Sequence, residues 1–301
     1  MEDNNYDRNA LVNRTLPQMQ LASGSNNSAS PSLDTKYIPP SLNSATERFA
    51  VKGNAIITGG TGTLALQGTR ALLEHGLSGV VLFDINPKPD SPSISSLKAD
   101  FPYAKILLKS VDVTNAENVN QAVQETAKEL GSIDILCCYA GVVGCVHALK
   151  ISVEEWRRTL EINTTGAFIC AQAVAKKMID QKSGGSIVFI ASISAHTVNY
   201  PQPQIAYNVS KSSLIHMKSC LAAEWSRYGI RTNTISPGYM DTVLNEGAGL
   251  EEARNIWTMR NPMGRMGNPE ELSGALVLLC SRAGSYINGS DLIVDGGQTV
   301  F

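Results

Sequence analysis

The stretch Asn54-Ala55-Ile56-Ile57-Thr58-Gly59-Gly60-Thr61-Gly62-Thr63-Leu64-Ala65 decides the fold. Asn54 to Thr58 reads as a short apolar strand. Gly59-Gly60-Thr61-Gly62 reads as a turn, and Thr63 to His75 as a helix closed by Gly76. Small residues at such a turn let the backbone bend tightly and approach a pyrophosphate, which sits on the positive N-terminus of the helix. In the G-x-G-x-x-A pattern the stretch runs Gly60, Gly62, Ala65. Glycines also make ordinary turns, so the weight comes from the strand–turn–helix setting at the first strand. Gly59, Thr61, Gly62 and Leu64 are the expected nucleotide contacts of this turn.

The pattern outward from the turn is an alternation. Strands are expected at Gly79 to Phe83, Ile106 to Val111, Ile133 to Tyr139, Ser186 to Ala191, Arg231 to Ile235 and Asp291 to Asp295. Helices are expected at Asn118 to Leu130, Val153 to Asp180, Tyr207 to Tyr228 and Glu270 to Cys280. Near-continuous apolar strands alternating with helices belong to a parallel sheet covered on both faces. The expected class is α/β, a Rossmann-type doubly wound parallel sheet in a single domain over 48–301. Ligands bind such sheets outside the carboxyl ends of the strands.

Residues 1–47 are rich in Asn, Ser and Pro and show no sustained hydrophobic period, so they read as a flexible N-terminal arm. Leu11, Leu16, Met19, Leu21, Tyr37 and Ile38 give that arm material to pack on a neighbouring subunit.

The 301 residues are 43% hydrophobic and 17% charged, enough for a sizeable core. Lys+Arg 25 against Asp+Glu 27 gives a net charge of -2, which argues against nucleic acid or an anionic membrane as partner. No run approaches the ~18 apolar residues of a spanning helix. The start, Met1-Glu2-Asp3-Asn4-Asn5, has neither a basic nor an apolar leader region, so a cytoplasmic protein is expected. Cys137, Cys138, Cys145, Cys170, Cys220 and Cys280 form no C-x-x-C pair and read as reduced thiols. His75, His147, His196 and His216 are scattered without metal-ligand spacing, so no metal site is expected. His147 and His196 follow the fourth and fifth strands, where either could touch substrate or be an ordinary loop residue.

Asp84 ends the second strand, 25 residues after Gly59. A carboxylate there accepts hydrogen bonds from the adenosine ribose and repels a 2′-phosphate, which favours NAD(H) over NADP(H). A turn cap is the plain alternative, and Lys88 in the following Pro-rich loop could reach a 2′-phosphate. Tyr207 and Lys211 stand four apart, on one helix face. An ammonium near a phenol favours phenolate and lowers its pKa. A phenol so tuned exchanges a proton with a hydroxyl or carbonyl near neutral pH.

These motifs together resemble the short-chain dehydrogenase/reductase superfamily, of the short single-domain type, over about residues 48–301. The resemblance rests on Thr58-Gly59 and its turn, Asp112-Val113, Ala140-Gly141, Asn163, Ser192, Tyr207/Lys211 and Pro237-Gly238. It implies that Tyr207 is the general acid/base and that Lys211 lowers its pKa and holds the nicotinamide ribose. It implies that Ser192 polarises the substrate oxygen, with Ser194 a close competitor, and that Asn163 holds a water in a proton relay. Asp112 and Val113 would contact adenine, and Ala140 and Gly141 would pass beneath the ribose. Pro237, Gly238, Met240 and Thr242 would hold the carboxamide. Val243 to Met266 would be a substrate lid, with Trp257 and Met259 as substrate contacts or lid packing. Thr63 and Ala65 depart from the usual glycines, and Tyr139 from the usual asparagine. A Cβ at Thr63 is expected to crowd the pyrophosphate turn, with the earlier Gly62 compensating or the turn adopting a T-G-x-x-G spacing.

The segments Val198 to Gln204 and Gly289 to Gly297 resemble fungal sorbose reductases and mannitol or arabinitol 2-dehydrogenases, and also fungal secondary-metabolite reductases. The serine-rich arm and the altered turn tilt the reading toward secondary metabolism. The expected function is hydride transfer between a nicotinamide and a small-molecule carbonyl or secondary alcohol. The alternatives are an isomerase or cyclase on the same fold, and a non-catalytic nucleotide sensor. The resemblance also implies a homodimer or homotetramer packed through the two long helices.

Overall fold

The computed structural model describes residues 17–22, 44–242, 245 and 247–301. Most of the expected arm, including Leu11, Leu16, Tyr37 and Ile38, lies outside these residues. Met19 and Leu21 are exposed. Of the expected lid, residues 243, 244 and 246 lie outside as well.

Seven strands build one sheet: β1 Asn54–Thr58, β2 Gly79–Asp84, β3 Lys105–Ser110, β4 Ile135–Cys138, β5 Gly185–Ile190, β6 Ile230–Pro237 and β7 Asp291–Val294. Their order is β3-β2-β1-β4-β5-β6-β7 and every pairing is parallel. The helices are α1 Ser44–Arg48, α2 Thr63–Glu74, α3 Pro92–Asp100, α4 Ala116–Leu130, α5 Val153–Leu160, α6 Gly166–Gln181, α7 Ile205–Trp225, α8 Glu251–Met259 and α9 Ser273–Cys280.

Strand side chains alternate between faces, and here both faces are apolar. Ala55 and Ile57 join Leu82, Cys137 and Ile190 in a core closed by α2, α3 and α9. Ile56 joins Val81, Leu136 and Phe189 in a second core closed by α4, α6 and α7. This is the doubly wound arrangement the alternation predicts.

Two elements differ from expectation. The helix expected over Val153 to Asp180 carries a π-turn, Glu161–Thr165, between α5 and α6. α3 occupies a stretch where no element is expected. Pro92 starts it, and Ile94 and Leu97, one turn apart, are its buried residues.

Candidate active site

The chain reverses direction across the sheet between β1 and β4, and their carboxyl ends open one crevice. Gly59 begins the turn there with φ 60, the left-handed region that favours glycine. A Cβ on Gly59 would stand 2.8 Å from the backbone N and Cα of Ala140, so the two strand ends meet main chain to main chain. Gly62 is the α2 N-cap, and its carbonyl accepts the Leu66 N–H at 2.9 Å. The N–H groups of Thr63, Leu64 and Ala65 therefore precede the helical ladder and are free for an anion. The expected crowding at Thr63 does not arise, because Thr63 opens the helix with its side chain in solvent while Ala65 is buried. The turn thus keeps a cradle that fits a pyrophosphate.

Asp84 sits beside this turn. Its Oδ2 accepts from Thr61 N at 3.1 Å and Thr61 Oγ1 at 2.6 Å, and its Oδ1 from Asn86 N at 3.2 Å. The carboxylate braces the glycine turn from β2, as the cap reading expects. Lys88 is exposed. At the end of β3, Asp112 Oδ1 accepts from Thr114 N and Oγ1, and Val113 is wedged where a Cβ on Gly166 would stand 2.7 Å away. Ala140 N donates to Thr58 Oγ1 at 3.2 Å. Tyr139, the departure from asparagine, packs on the α2 side of the sheet, beside Gly68.

The four expected catalytic residues gather at the ends of β4 and β5. Ser192 and Ser194 are buried and joined Oγ to Oγ at 3.0 Å. Gln204, at the α7 N-cap, donates to Ser194 at 3.3 Å. Lys211 Nζ is buried, donates to Ile190 O at 2.7 Å and stands 5.6 Å from the Tyr207 ring centroid. A Cβ on Gly141 would lie 3.3 Å from Asn163 Oδ1 and 3.6 Å from Lys211 Nζ. Asn163 stands within the π-turn, a feature frequent at functional sites. Its side chain accepts from Val142 N at 2.8 Å and donates to Val142 O and Ser210 Oγ, both at 2.9 Å. The side chain is thus committed to holding the loop after β4 against α7.

Burial lowers the Lys211 ammonium to about 8, with the neighbouring Cys138 thiol opposing the fall. Burial also pushes the Tyr207 phenol above its ordinary value; the Ser192 hydroxyl pulls it down and Tyr239 adds to the rise. The sequence led to a depressed Tyr207. Here burial is the largest cause, and the Lys211 ammonium lies over the ring and donates to Ile190 O. The Ser192 contribution favours Ser192 over Ser194 as the partner of Tyr207.

At β6, Pro237 pairs with Val294, and a Cβ on Gly238 would meet Asp295 Cα at 2.8 Å. Met240 and Thr242 are buried. Asn245 Nδ2 donates to Met240 O at 2.7 Å, and Asn245 N to Thr242 O at 2.8 Å. Trp257 on α8 is 5% exposed and stacks on Tyr239, with centroids 4.2 Å apart and rings 6° from parallel. Met259, two positions on, is 80% exposed and points away. His196 is held by Asp291 at 2.9 Å and Ser236 at 3.2 Å, a structural tie from the β5 loop to β7. His147 is exposed in its loop.

Sequence reading gave no role to Tyr239, Asn199 or Gln202, which form one network. Tyr239 Oη accepts from Asn199 Nδ2 at 2.9 Å and Gln202 Nε2 at 3.1 Å, and Trp257 Nε1 donates to Gln202 Oε1 at 3.1 Å. The available signal was a tyrosine directly after Pro237-Gly238 at a strand end.

A family model described as enoyl-(acyl carrier protein) reductase matches residues 60–299. A probable NADP-dependent mannitol dehydrogenase of Yarrowia lipolytica is 34% identical over 264 residues, covering 86% of this chain and 92% of the relative. A ribulose-forming D-arabinitol 2-dehydrogenase of Scheffersomyces stipitis is 36% identical, covering 81% of this chain and 92% of the relative. The crystal structure of an NADPH-dependent 3-quinuclidinone reductase from Rhodotorula rubra matches with a TM-score of 0.79 and 31% identity. That match covers 89% of this chain and 99% of the reductase.

Proposed function

The chain belongs to the short-chain dehydrogenase/reductase superfamily and is an NAD(P)-dependent oxidoreductase, and we propose that it interconverts a polyhydroxylated ketone and its secondary alcohol through Tyr207. The observation that carries this reading is the meeting of Ser192, Tyr207 and Lys211 at the end of β5, with Asn163 bracing the adjoining loop.

The nicotinamide supplies or accepts the hydride when bound. The chain does the rest by positioning and proton transfer. The N–H groups of Thr63, Leu64 and Ala65 take the pyrophosphate, with Gly59, Thr61 and Gly62 shaping the turn beneath it. Asp112 and Val113 meet the adenine, and Ala140 and Gly141 underlie the ribose. Pro237, Gly238, Met240 and Thr242 face the carboxamide. Ser192 donates to the substrate oxygen and Tyr207 gives or takes its proton. Lys211 holds the ribose with its remaining N–H donors and favours the phenolate. Asn163 keeps the loop after β4 in place beside Lys211, where it would hold the relay water.

The cofactor proposed is NAD(H). Its support is Asp84, whose carboxylate lies where a 2′-phosphate would bring a second negative charge. The Yarrowia relative is named for NADP, so the comparison is decisive: kcat/KM with NADH should exceed that with NADPH. An NADPH preference overturns the role of Asp84. The relatives reported above favour polyols over a secondary-metabolite substrate.

An isomerase or cyclase would be favoured by a turn too altered to cradle a pyrophosphate, and the turn at Gly59 keeps such a cradle. A nucleotide sensor has no use for a buried lysine without a carboxylate partner. Tyr207→Phe is the test of the main reading. Turnover, followed by nicotinamide absorbance and product mass, should fall by at least about 10²-fold. Activity within a few-fold of wild type refutes it.

Assembly is proposed as a homodimer or homotetramer through α6 and α7, where Phe168, Ile205 and Val209 are exposed. The cytoplasm is the compartment proposed, supported by six free cysteines. No helix among the described residues is long and apolar enough to cross a membrane.

A further inference from the structure

A phenol has one proton to donate and two lone pairs to accept with. At Tyr239 the neighbours fill two of these three places. Gln202 is fixed in orientation, because the indole N–H of Trp257 can only donate and occupies Gln202 Oε1 at 3.1 Å. Its Nε2 must therefore be the end facing Tyr239 Oη, at 3.1 Å. Asn199 fills the second place at 2.9 Å. With its amide nitrogen toward Tyr239, the phenol proton is left free. With its oxygen toward Tyr239, that proton is used and a lone pair is left free. Asn199 Oδ1 is buried with no partner among the described residues, so both amide orientations are open to it. In each, one hydrogen-bonding place on Tyr239 Oη remains, and a substrate hydroxyl can fill either kind.

Tyr239 stands near the reacting groups. Tyr239 follows Pro237 and Gly238 at the end of β6, next to β5, whose end carries Ser192. Its ring is half-buried, backed by Trp257, and Asn199 and Gln202 lie on the loop between Ser192 and Tyr207. Burial raises the Tyr239 phenol, so it stays protonated and neutral near neutral pH, and it stands close enough to Tyr207 that ionisation of one would oppose ionisation of the other. The loop residue Gln202 and the α8 residue Trp257, far apart in sequence, meet at Tyr239.

We propose that Tyr239 is a specificity-determining residue that hydrogen-bonds a second oxygen of the substrate, a hydroxyl borne beside the reacting carbonyl, and that Gln202 is the positioning residue that aims it. The inference rests on the oxidoreductase reading above and names its substrate class as hydroxy ketones over plain ketones.

The test compares 3-hydroxy-2-butanone with 2-butanone, and a ketohexose with its 1-deoxy analogue. Wild type should favour the hydroxylated member of each pair by about tenfold or more in kcat/KM. Tyr239→Phe keeps the stack on Trp257 and should bring each ratio close to one, leaving the plain ketone within about twofold. Gln202→Met should lower the ratio mainly through KM, with kcat little changed. No preference in the wild type, no turnover of any hydroxy ketone, or an unchanged ratio in Tyr239→Phe overturns the inference. So does a folded Tyr239→Phe equally slow on both members. Tyr207→Phe, tested on the same pairs, separates failure of this inference from failure of the underlying chemistry, since it must abolish both members together.

Discussion

Lys211 costs the fold stability in exchange for function, and replacing it measures both. Its ammonium is buried, has Ile190 O as its hydrogen-bond partner in the structure, and is lowered from 10.5 to about 8 by burial. That difference corresponds to about 3 kcal/mol of penalty for carrying the charge in the folded state. Lys211→Met removes the charge and keeps most of the volume, while leaving Ile190 O without its donor costs about 1 kcal/mol. The net gain at pH 7 is about 2 kcal/mol, or on the order of 4 °C in Tm for a chain of this size. The sign depends on pH. Between about pH 8 and 10.5 the unfolded lysine holds a proton that the folded one has released, so wild-type stability rises across that window. Below pH 8 both forms are charged and the penalty is present in full. The advantage of the variant should therefore be constant up to about pH 8, vanish between about pH 9 and 10, and give way by about pH 10.5 to a deficit of about 1 kcal/mol from the unpaired Ile190 carbonyl. Urea unfolding of both proteins at pH 7, 9 and 10.5, with the difference taken at each pH, reads this directly. The variant should also lose nearly all turnover. A variant less stable than wild type at pH 7, or a gain that ignores pH, refutes the account of Lys211 as an uncompensated buried charge.

Ser192→Ala should lower kcat by about 10²-fold with KM little changed, because its donor acts on the oxygen where charge develops, whereas Ser194→Ala should cost only a few-fold; comparable losses would make the two serines one unit. Gly59→Ala forces a Cβ to within 2.8 Å of Ala140 main chain at φ 60, so nucleotide affinity measured by fluorescence titration should collapse. A Cβ on Gly68 would lie 2.5 Å from Tyr139 Oη and 2.9 Å from Leu276 Cδ2. Gly68→Ala should destabilise by about 1–3 kcal/mol in urea unfolding, and adding Tyr139→Phe should recover part of it.

What the sequence discloses and what it withholds separate by range. Tyr207 and Lys211 are legible because one helix fixes their spacing, and the strands because both faces of the sheet are buried. Asn163 is legible as a residue, yet its π-turn is not. One extra residue in a turn leaves the apolar pattern of α5 and α6 reading as a single helix. α3 escapes notice because two buried side chains in a Ser- and Pro-containing stretch make a weak period. Trp257 and Met259 are two apart on α8, hence on different faces, and local pattern alone does not say which faces inward. Tyr239 is withheld most completely: its partners Asn199 and Gln202 lie 40 and 37 residues before it.

The order of the motifs was nevertheless readable as geometry, and the topology explains why. From β4 onward the strands are laid down in the order in which they lie, β4-β5-β6-β7. Gly141, Ser192 and Gly238 follow β4, β5 and β6 and so succeed one another across the crevice as they do along the chain. From β1 the chain runs the other way, through β2 to β3, so Gly59, Asp84 and Asp112 extend in the opposite direction from the same switch point. The proposed pyrophosphate and adenosine contacts are thus written in the first part of the chain, and the proposed nicotinamide and proton-transfer residues in the second. Side chains that reach across between strand ends, as Gln202 does to Tyr239 and Trp257, follow no such order, and substrate selection is assigned to them.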